Sequence, residues 1–305
     1  MRIPFEKIGR AAKLGMTAKR EGDEGVRIQV VVGAVASSAI IDAVRGALVP
    51  QTTSGLVRVA RLGATPIDVK PDTDVVLVIS EGEEDLEEGV RQMVVAGAPV
   101  AVLASDRTAV PFIQSDTPLL GLVADEDTDR LLRRLARWIL SRSEKHAALA
   151  ANFPFLRNAA SERIVGGCAL TNMATGALFF TPGADYPVIT LAQLGMMMQL
   201  ATIYGKPLAL ERGYEAAAVA GSGLVLRAAS RVAVKRLPSW AGFAAQALVA
   251  GAGTVAMGLA LREVYERDVD YAPVNRLACR AVRGVKDLYD AMAANPAPVA
   301  QDMDV

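Results

Sequence analysis

Short apolar runs alternate with helical stretches over the first 125 residues. Glu83 to Ala96 has the spacing of a helix between two of these runs. The runs are continuous rather than alternating, which implies strands buried on both faces by helices. We therefore predict a doubly wound, mostly parallel five-stranded α/β sheet. Its strands are expected at Val26 to Val32, Leu56 to Leu62, Asp74 to Ser80, Pro99 to Ala104 and Leu119 to Val123.

Beyond residue 150 the strand pattern stops, and long charge-poor stretches follow. Gly205 and Pro207 are typical of a helix end. Four apolar segments with short connections predict an all-α bundle after the α/β half. The expected helices are Ile164 to Phe180, Leu191 to Tyr204, Leu210 to Arg236 and a last one centred on Leu237 to Leu261.

These changes of pattern divide the chain into five parts. They are a basic N-terminal arm (1–25), an α/β domain (26–126), a connector helix (127–158), an apolar helical domain (159–268), and a C-terminal helix with a disordered tail (269–305). The arm has the pattern of a weakly amphipathic basic helix. It is expected to be a solvated extension or, as the alternative, to lie on an anionic membrane surface.

The segment from Leu237 to Leu261 has no charged residue. A helix of this length rises about 37 Å, and about 20 residues suffice to cross a bilayer core. Its small residues recur every three or four positions, so they share one face that another helix can approach closely. The face includes Gly251, Thr254 and Gly258, and its expected partner is the segment Gly221 to Gly223. The helix is predicted either to contact a membrane or to be the buried centre of the bundle.

Composition favours membrane contact and weighs against nucleic-acid binding, a metal site and a disulfide framework. The chain is 52% hydrophobic with a positive mean hydropathy, and its formal net charge is zero. No basic stripe interleaved with aromatics is present, so nucleic acid is not an expected partner. Cys168, Cys279 and the single His146 lie far apart in sequence, and we expect neither a metal site nor a disulfide. No apolar leader follows the basic N-terminus, which favours the cytoplasmic side of the membrane.

The turn after the first strand is where a doubly wound sheet usually holds a ligand. Against the pattern G-x-x-x-x-G-K-[ST] only Gly33 matches, since Ser38, Ala39 and Ile40 replace the glycine, lysine and hydroxyl residue. The guanine-reading motif is also missing after the fourth strand. The domain therefore resembles an Era-like GTPase-type domain without its nucleotide residues. The alternative is a flavodoxin-like or Rossmann-like domain in which the amides of Gly33, Ser37 and Ser38 hold an anion.

Two charged clusters have simple structural interpretations. The acids between Glu81 and Glu88 are expected to be a solvated helix start that holds no metal. Asp127 is predicted to cap the following arginine-rich helix.

The helical half carries a family resemblance. The run Gly183-Ala184-Asp185-Tyr186-Pro187-Val188-Ile189-Thr190, followed by Gln193, Met197, Tyr204 and Gly205, resembles the signature of the YcjF-type bacterial domain of unknown function. The resemblance spans roughly residues 160 to 267. It implies association with Era-like GTPases and the inner membrane, and it transfers no catalytic residue.

The residues of this signature have a structural interpretation of their own. We expect Asp185 to accept backbone N–H bonds in a turn that Pro187 stiffens, and Thr190 to cap the helix that begins at Leu191.

The sequence therefore predicts a non-catalytic interaction or scaffold protein that uses no cofactor. Its helical half would dock at the cytoplasmic membrane, and its α/β half would engage a protein partner, with a GTPase as one candidate and self-association as another. The alternative is a GTPase-like regulator that binds a nucleotide or another anion through backbone contacts from Gly33 to Ser38.

Overall fold

A computed structural model of the chain describes residues 5–63, 67–178, 186–206 and 239–267. Its first half contains a five-stranded sheet whose strands are all parallel, in the order β2-β1-β3-β4-β5. This is the strand order of flavodoxin-like folds. The strands are β1 (Val26–Val32), β2 (Gly55–Arg61), β3 (Val75–Ile79), β4 (Val100–Ala104) and β5 (Leu120–Ala124). The predicted five strands are confirmed within one or two residues.

Helices cover both faces of the sheet, as the continuous apolar runs predicted. The strand residues alternate between two buried clusters. One is shared with α2 (Ser38–Ala47) and α4 (Thr128–Arg142), and the other with α3 (Leu86–Val95). The predicted doubly wound α/β class is therefore confirmed. Strand β2 differs from the expectation of full burial, because it lies at the sheet edge, where Val59 is largely exposed.

The second half is helical. It contains α5 (His146–Asn152), α6 (Arg157–Leu178), α7 (Tyr186–Ile203) and α8 (Ser239–Glu266), with one 3₁₀ turn at Pro154–Leu156 before α6. Helices α6, α7 and α8 pack against one another, which confirms a helical bundle. The predicted helix Leu210 to Arg236, the segment Gly221 to Gly223 and the C-terminal helix lie outside the described residues.

Helix α7 begins five residues earlier than expected. Thr190 therefore lies inside the helix, and its predicted role as the N-cap of a helix starting at Leu191 is wrong. Pro187 falls in the first turn, where a missing backbone N–H costs nothing. The C-terminus is as predicted: Gly205 has φ +66°, and the amides of Gly205 and Lys206 donate to the carbonyls of Thr202 and Ala201. This is a Schellman motif.

Helix α8 presents its small residues to α6. A β-carbon on Gly251 would lie 2.3 Å from Cγ of Met173, and one on Gly258 would lie 2.5 Å from Cγ2 of Val165. The two helices run antiparallel, because the residue numbers of these pairs rise on one helix and fall on the other. The predicted small face does receive neighbouring helices. Within the described residues these are α6, which lies against Gly251 and Gly258, and α7, whose Gln193 reaches Thr254.

Helix α1 (Phe5–Gly22) packs against the bundle instead of extending as a solvated arm. Ala18 is buried, and a β-carbon on Gly22 would lie 2.2 Å from Cγ2 of Thr202 in α7. The described end of the helix thus packs against protein through Ala18 and Gly22, while Met16 remains exposed, and the expectation of a solvated extension is wrong.

Two side chains of the α5 region fasten the halves together. Asn152 is fully buried, where its side chain hydrogen-bonds to both Thr52 (2.7 Å) and Ser54 (3.0 Å) of the loop before β2. Lys145 pairs with Asp74 at 2.9 Å and donates to the carbonyl of Gly25 at 2.8 Å. One buried apolar cluster runs from the sheet through α4 and α5 into α6, α7 and α8.

Candidate functional site

The crevice beyond the carboxyl ends of β1 and β3 is the usual ligand position of this strand order. Here the carboxylate of Glu83 lies against the turn after β1. It accepts hydrogen bonds from the amide of Ala34 at 2.7 Å and from the hydroxyl of Ser80 at 2.8 Å. A β-carbon on Gly33 would collide with the same carboxylate. Gly33 is therefore needed for the close approach of an acidic side chain of the chain itself.

A second carboxylate of the same loop binds the turn after β4. Glu81 accepts from the amide of Ser105 at 3.0 Å and from its hydroxyl at 2.7 Å. Glu81 and Glu83 both precede α3, which begins at Leu86. The interpretation of these two acids as a solvated helix start is therefore wrong, because they connect three loops at one edge of the sheet.

This arrangement weighs against the anion site expected at Gly33, Ser37 and Ser38. An open pocket of about 750 Å³ lies beside Gly33, and carboxylates of Glu83, Glu84 and Asp85 line it together with Arg61. Ser37 stands at the N-cap of α2 without a side-chain capping bond. A phosphate at this turn would have to displace the Glu83 carboxylate from the amide it occupies and would meet two more acids.

A buried polar cluster joins α6, α7 and α8. Thr254 accepts from the amide groups of Asn172 at 2.8 Å and Gln193 at 3.2 Å, and its hydroxyl donates to the carbonyl of Ala250 at 2.7 Å. All three side chains are almost completely buried. Gln193 and Thr254 were singled out from the sequence. Asn172 was missed, although it is the one asparagine within a charge-poor helical segment.

One side of α8, adjacent to the face with the glycines, is exposed and apolar. Leu248, Val255 and Leu259 are 61%, 39% and 54% exposed, and they lie along one side of the helix over about 16 Å. We call these three residues the outer stripe. Among the described residues, Ala247–Glu266 is the one segment long and apolar enough to cross a bilayer. A membrane-compatible helix is thus present, and its apolar side is open.

Tyr204 lies where α6, α7 and α8 meet. Its hydroxyl donates to Glu266 at 2.8 Å, and Arg262 pairs with the same carboxylate at 2.8 Å. The guanidinium of Arg157 lies 5.5 Å from the centroid of the Tyr204 ring. Burial, the largest cause, raises the pKa of the Tyr204 phenol, so it is a neutral donor at physiological pH.

The free thiol of Cys168 in the described bundle is poorly reactive. Cys168 is partly buried on α6, and burial raises the pKa of its thiol to about 11. A thiol with so high a pKa is a poor nucleophile at neutral pH.

Gly183 and Asp185 lie outside the described residues, as does the side chain of Pro187. No protein-family model matches the chain, and neither curated proteins nor solved structures match it significantly.

Proposed function

We propose that the protein is a non-catalytic scaffold that docks peripherally on the cytoplasmic face of the membrane through the outer stripe of α8. The observation that carries the proposal is the division of α8 into two apolar faces. The face with Gly251, Thr254 and Gly258 packs against α6, while the outer stripe remains exposed.

The packing of α8 favours docking on the membrane over crossing it. Thr254 holds α8 to both α6 and α7 through buried hydrogen bonds. Separating the helix from the bundle would leave the buried amides of Asn172 and Gln193 without their acceptor, which costs about 1–3 kcal/mol for each unpaired donor. An interfacial helix instead keeps its inner contacts and buries only its outer face.

The free energy gained by burying the outer stripe in a membrane is of the size expected for a peripheral interaction. Burying a large apolar side chain completely contributes about 1.5–3 kcal/mol. The residues of the outer stripe are roughly half exposed, so each has about half of that left to gain. Their sum gives reversible membrane binding, which leaves the α/β half free in the cytoplasm to engage a protein partner. The resemblance to YcjF-type and Era-like domains supports a GTPase as the first partner to test.

Vesicle flotation of the full-length protein tests the membrane step. We expect the parent to float with vesicles of mixed phosphatidylglycerol and phosphatidylcholine. Leu248→Asp combined with Leu259→Asp should abolish flotation without unfolding the protein, because both positions are exposed. Val95→Asp is the matched control, since Val95 is 81% exposed on the α/β half. A parent that stays with the unbound fraction, or a double variant that floats as well as the parent, would overturn the proposal.

A further inference from the structure

Strand β2 forms one edge of the sheet, and its outer side has no partner strand among the described residues. The amide of Leu62 donates to Val32 of β1, and the backbone groups of every second residue before it point towards β1 in the same way. The backbone groups of Val57, Val59 and Arg61 therefore point away from the sheet. No other segment of the described chain is hydrogen-bonded to them.

This edge lacks the features that usually keep an edge strand from pairing, which are lysine, proline and a bulge. The segment Gly55 to Leu62 contains neither lysine nor proline, and its register with β1 is continuous. Arg58, the charge in the middle of the strand, is bound to Asp72 at 3.1 Å. Val59 beside it is 72% exposed. The centre of the edge is thus apolar and open, which is typical of a strand that receives another strand.

The charges of the edge suit a second copy of this chain in one particular register. Identical strands that pair antiparallel about a two-fold axis complete one another. An axis at Arg58 would set two arginines directly opposite, which is unfavourable. An axis at Val59 sets each exposed valine against its counterpart and Arg58 against Ala60 of the copy. This register therefore gives apolar contact at the axis without a facing pair of like charges.

The two ends of β2 differ in accessibility, which favours the same register. A β-carbon on Gly55 would lie 2.7 Å from Oδ1 of Asn152, so the start of the strand lies against α5. A second copy centred on Val59 pairs over the other end of the strand, from Val57 to Arg61. It therefore adds its strand away from α5.

We propose that the protein forms a two-fold symmetric dimer in which β2 of one copy pairs antiparallel with β2 of the other, with Val59 on the axis. Val57 of each copy then lies opposite Arg61 of the other, and these residues exchange backbone hydrogen bonds along with Val59. The two sheets become one continuous sheet, and neither copy keeps an open edge at β2. The dimer does not depend on the proposed membrane function.

Sedimentation velocity of the full-length protein at micromolar concentrations is the first test. We expect the parent to approach twice the 32.1 kDa of one chain. Val59→Pro should abolish the dimer, because proline has no N–H to donate to the second copy. An edge strand tolerates proline where the N–H faces solvent, so the monomer should still fold. Val59→Thr keeps the β-branched shape and the N–H, and this control should dimerise like the parent.

Hydrogen exchange of the parent tests the register and serves where Val59→Pro fails to fold. Raising the protein concentration should slow exchange at the outward amides of Val57, Val59 and Arg61. The amides of Arg58 and Ala60 point towards β1, so they should exchange slowly at every concentration. A parent that dimerises while exchange at Val59 stays independent of concentration would overturn the proposal.

The outer stripe is the other exposed apolar surface able to join two copies. Leu248→Asp combined with Leu259→Asp removes that stripe and leaves β2 intact, so this variant should still dimerise. A monomeric parent, a folded Val59→Pro variant that dimerises, or a monomeric stripe variant would each overturn the β2 dimer. A parent that dimerises but does not float with vesicles would refute the membrane function alone.

Discussion

The backbone of α8 at Gly258 meets the branched side chain of Val165 in α6 so closely that a β-carbon would lie 2.5 Å from Cγ2. Valine is stiff at χ1, so it has little freedom to move aside. We expect Gly258→Leu to overpack this contact and to lower the free energy of unfolding by about 1–3 kcal/mol. Denaturant unfolding measures the change.

Leu259 provides the matched control for this substitution. Leu259 is the next residue of the same helix, and it is largely exposed. Leu259→Ala should therefore stay within about 0.5 kcal/mol of the parent, as is usual for surface changes. Equal stability of both variants and the parent would show that α6 and α8 do not touch at Gly258.

The hydroxyl of Thr254 is the shared acceptor of two buried amides. Thr254→Val keeps the shape of the side chain and leaves the amide groups of Asn172 and Gln193 without their acceptor. An unpaired buried donor costs about 1–3 kcal/mol. We expect Thr254→Val to lower the free energy of unfolding by an amount in that range. Adding Asn172→Leu should lower it by a smaller further amount, because the two side chains act as a unit. Strict additivity in the double-mutant cycle would argue against the network.

The pKa of the His146 ring can be measured directly, because it is the single histidine of the chain. Burial is the main cause that lowers its pKa from 6.5, and the charge of Arg163 lowers it further, against a raising contribution from the carbonyl of Leu140. NMR titration of its ring should therefore give a pKa below 6.5.

The sign of the stability effect follows from this shift. The unfolded chain binds the proton more tightly than the folded protein, so stability is complete above the unfolded pKa and falls as the pH drops through the folded pKa. His146→Gln should remove this part of the pH dependence. A pKa above 6.5, or an unchanged slope in the variant, would contradict the prediction.

Nucleotide binding is testable on the parent protein. The turn after β1 lacks the lysine and hydroxyl of a phosphate loop at Ala39 and Ile40, and Glu83 occupies the amide of Ala34. We expect no calorimetric binding of GTP or ATP to the Gly33 turn in the presence of Mg²⁺. Micromolar affinity would contradict the prediction.

The periodicity of apolar residues predicted much of the fold. The five strands were readable because burial on both faces produces continuous Val-rich and Leu-rich runs, as in Val75–Ile79. Helix starts were less accurate. Helix α6 begins with the polar residues Arg157 and Asn158, and α7 begins with Tyr186 and Pro187, so neither start shows the apolar spacing of the rest of its helix.

The site was harder to predict because it depends on contacts between residues far apart in sequence. Glu83 and Ala34 are 49 positions apart, and the acidic run around Glu83 looks identical whether it is solvated or bound. The close approach at Gly251 and Gly258 was readable because their spacing places them on one helix face. The helix that contacts them could not be predicted from the sequence, because Val165 and Met173 of α6 are ordinary apolar residues.

The contacts of Asn152 and Lys145 give the chain a mechanical property as well as a stable junction. The loop before β2 and the start of β3 are fastened to α5, and the same apolar cluster continues into α6 and α8. A mechanical force or a ligand that acts on either half therefore acts on contacts that also stabilise the other half. A membrane-bound bundle would hold the sheet in a fixed orientation above the lipid, so a partner would meet the α/β half as part of an oriented rigid body.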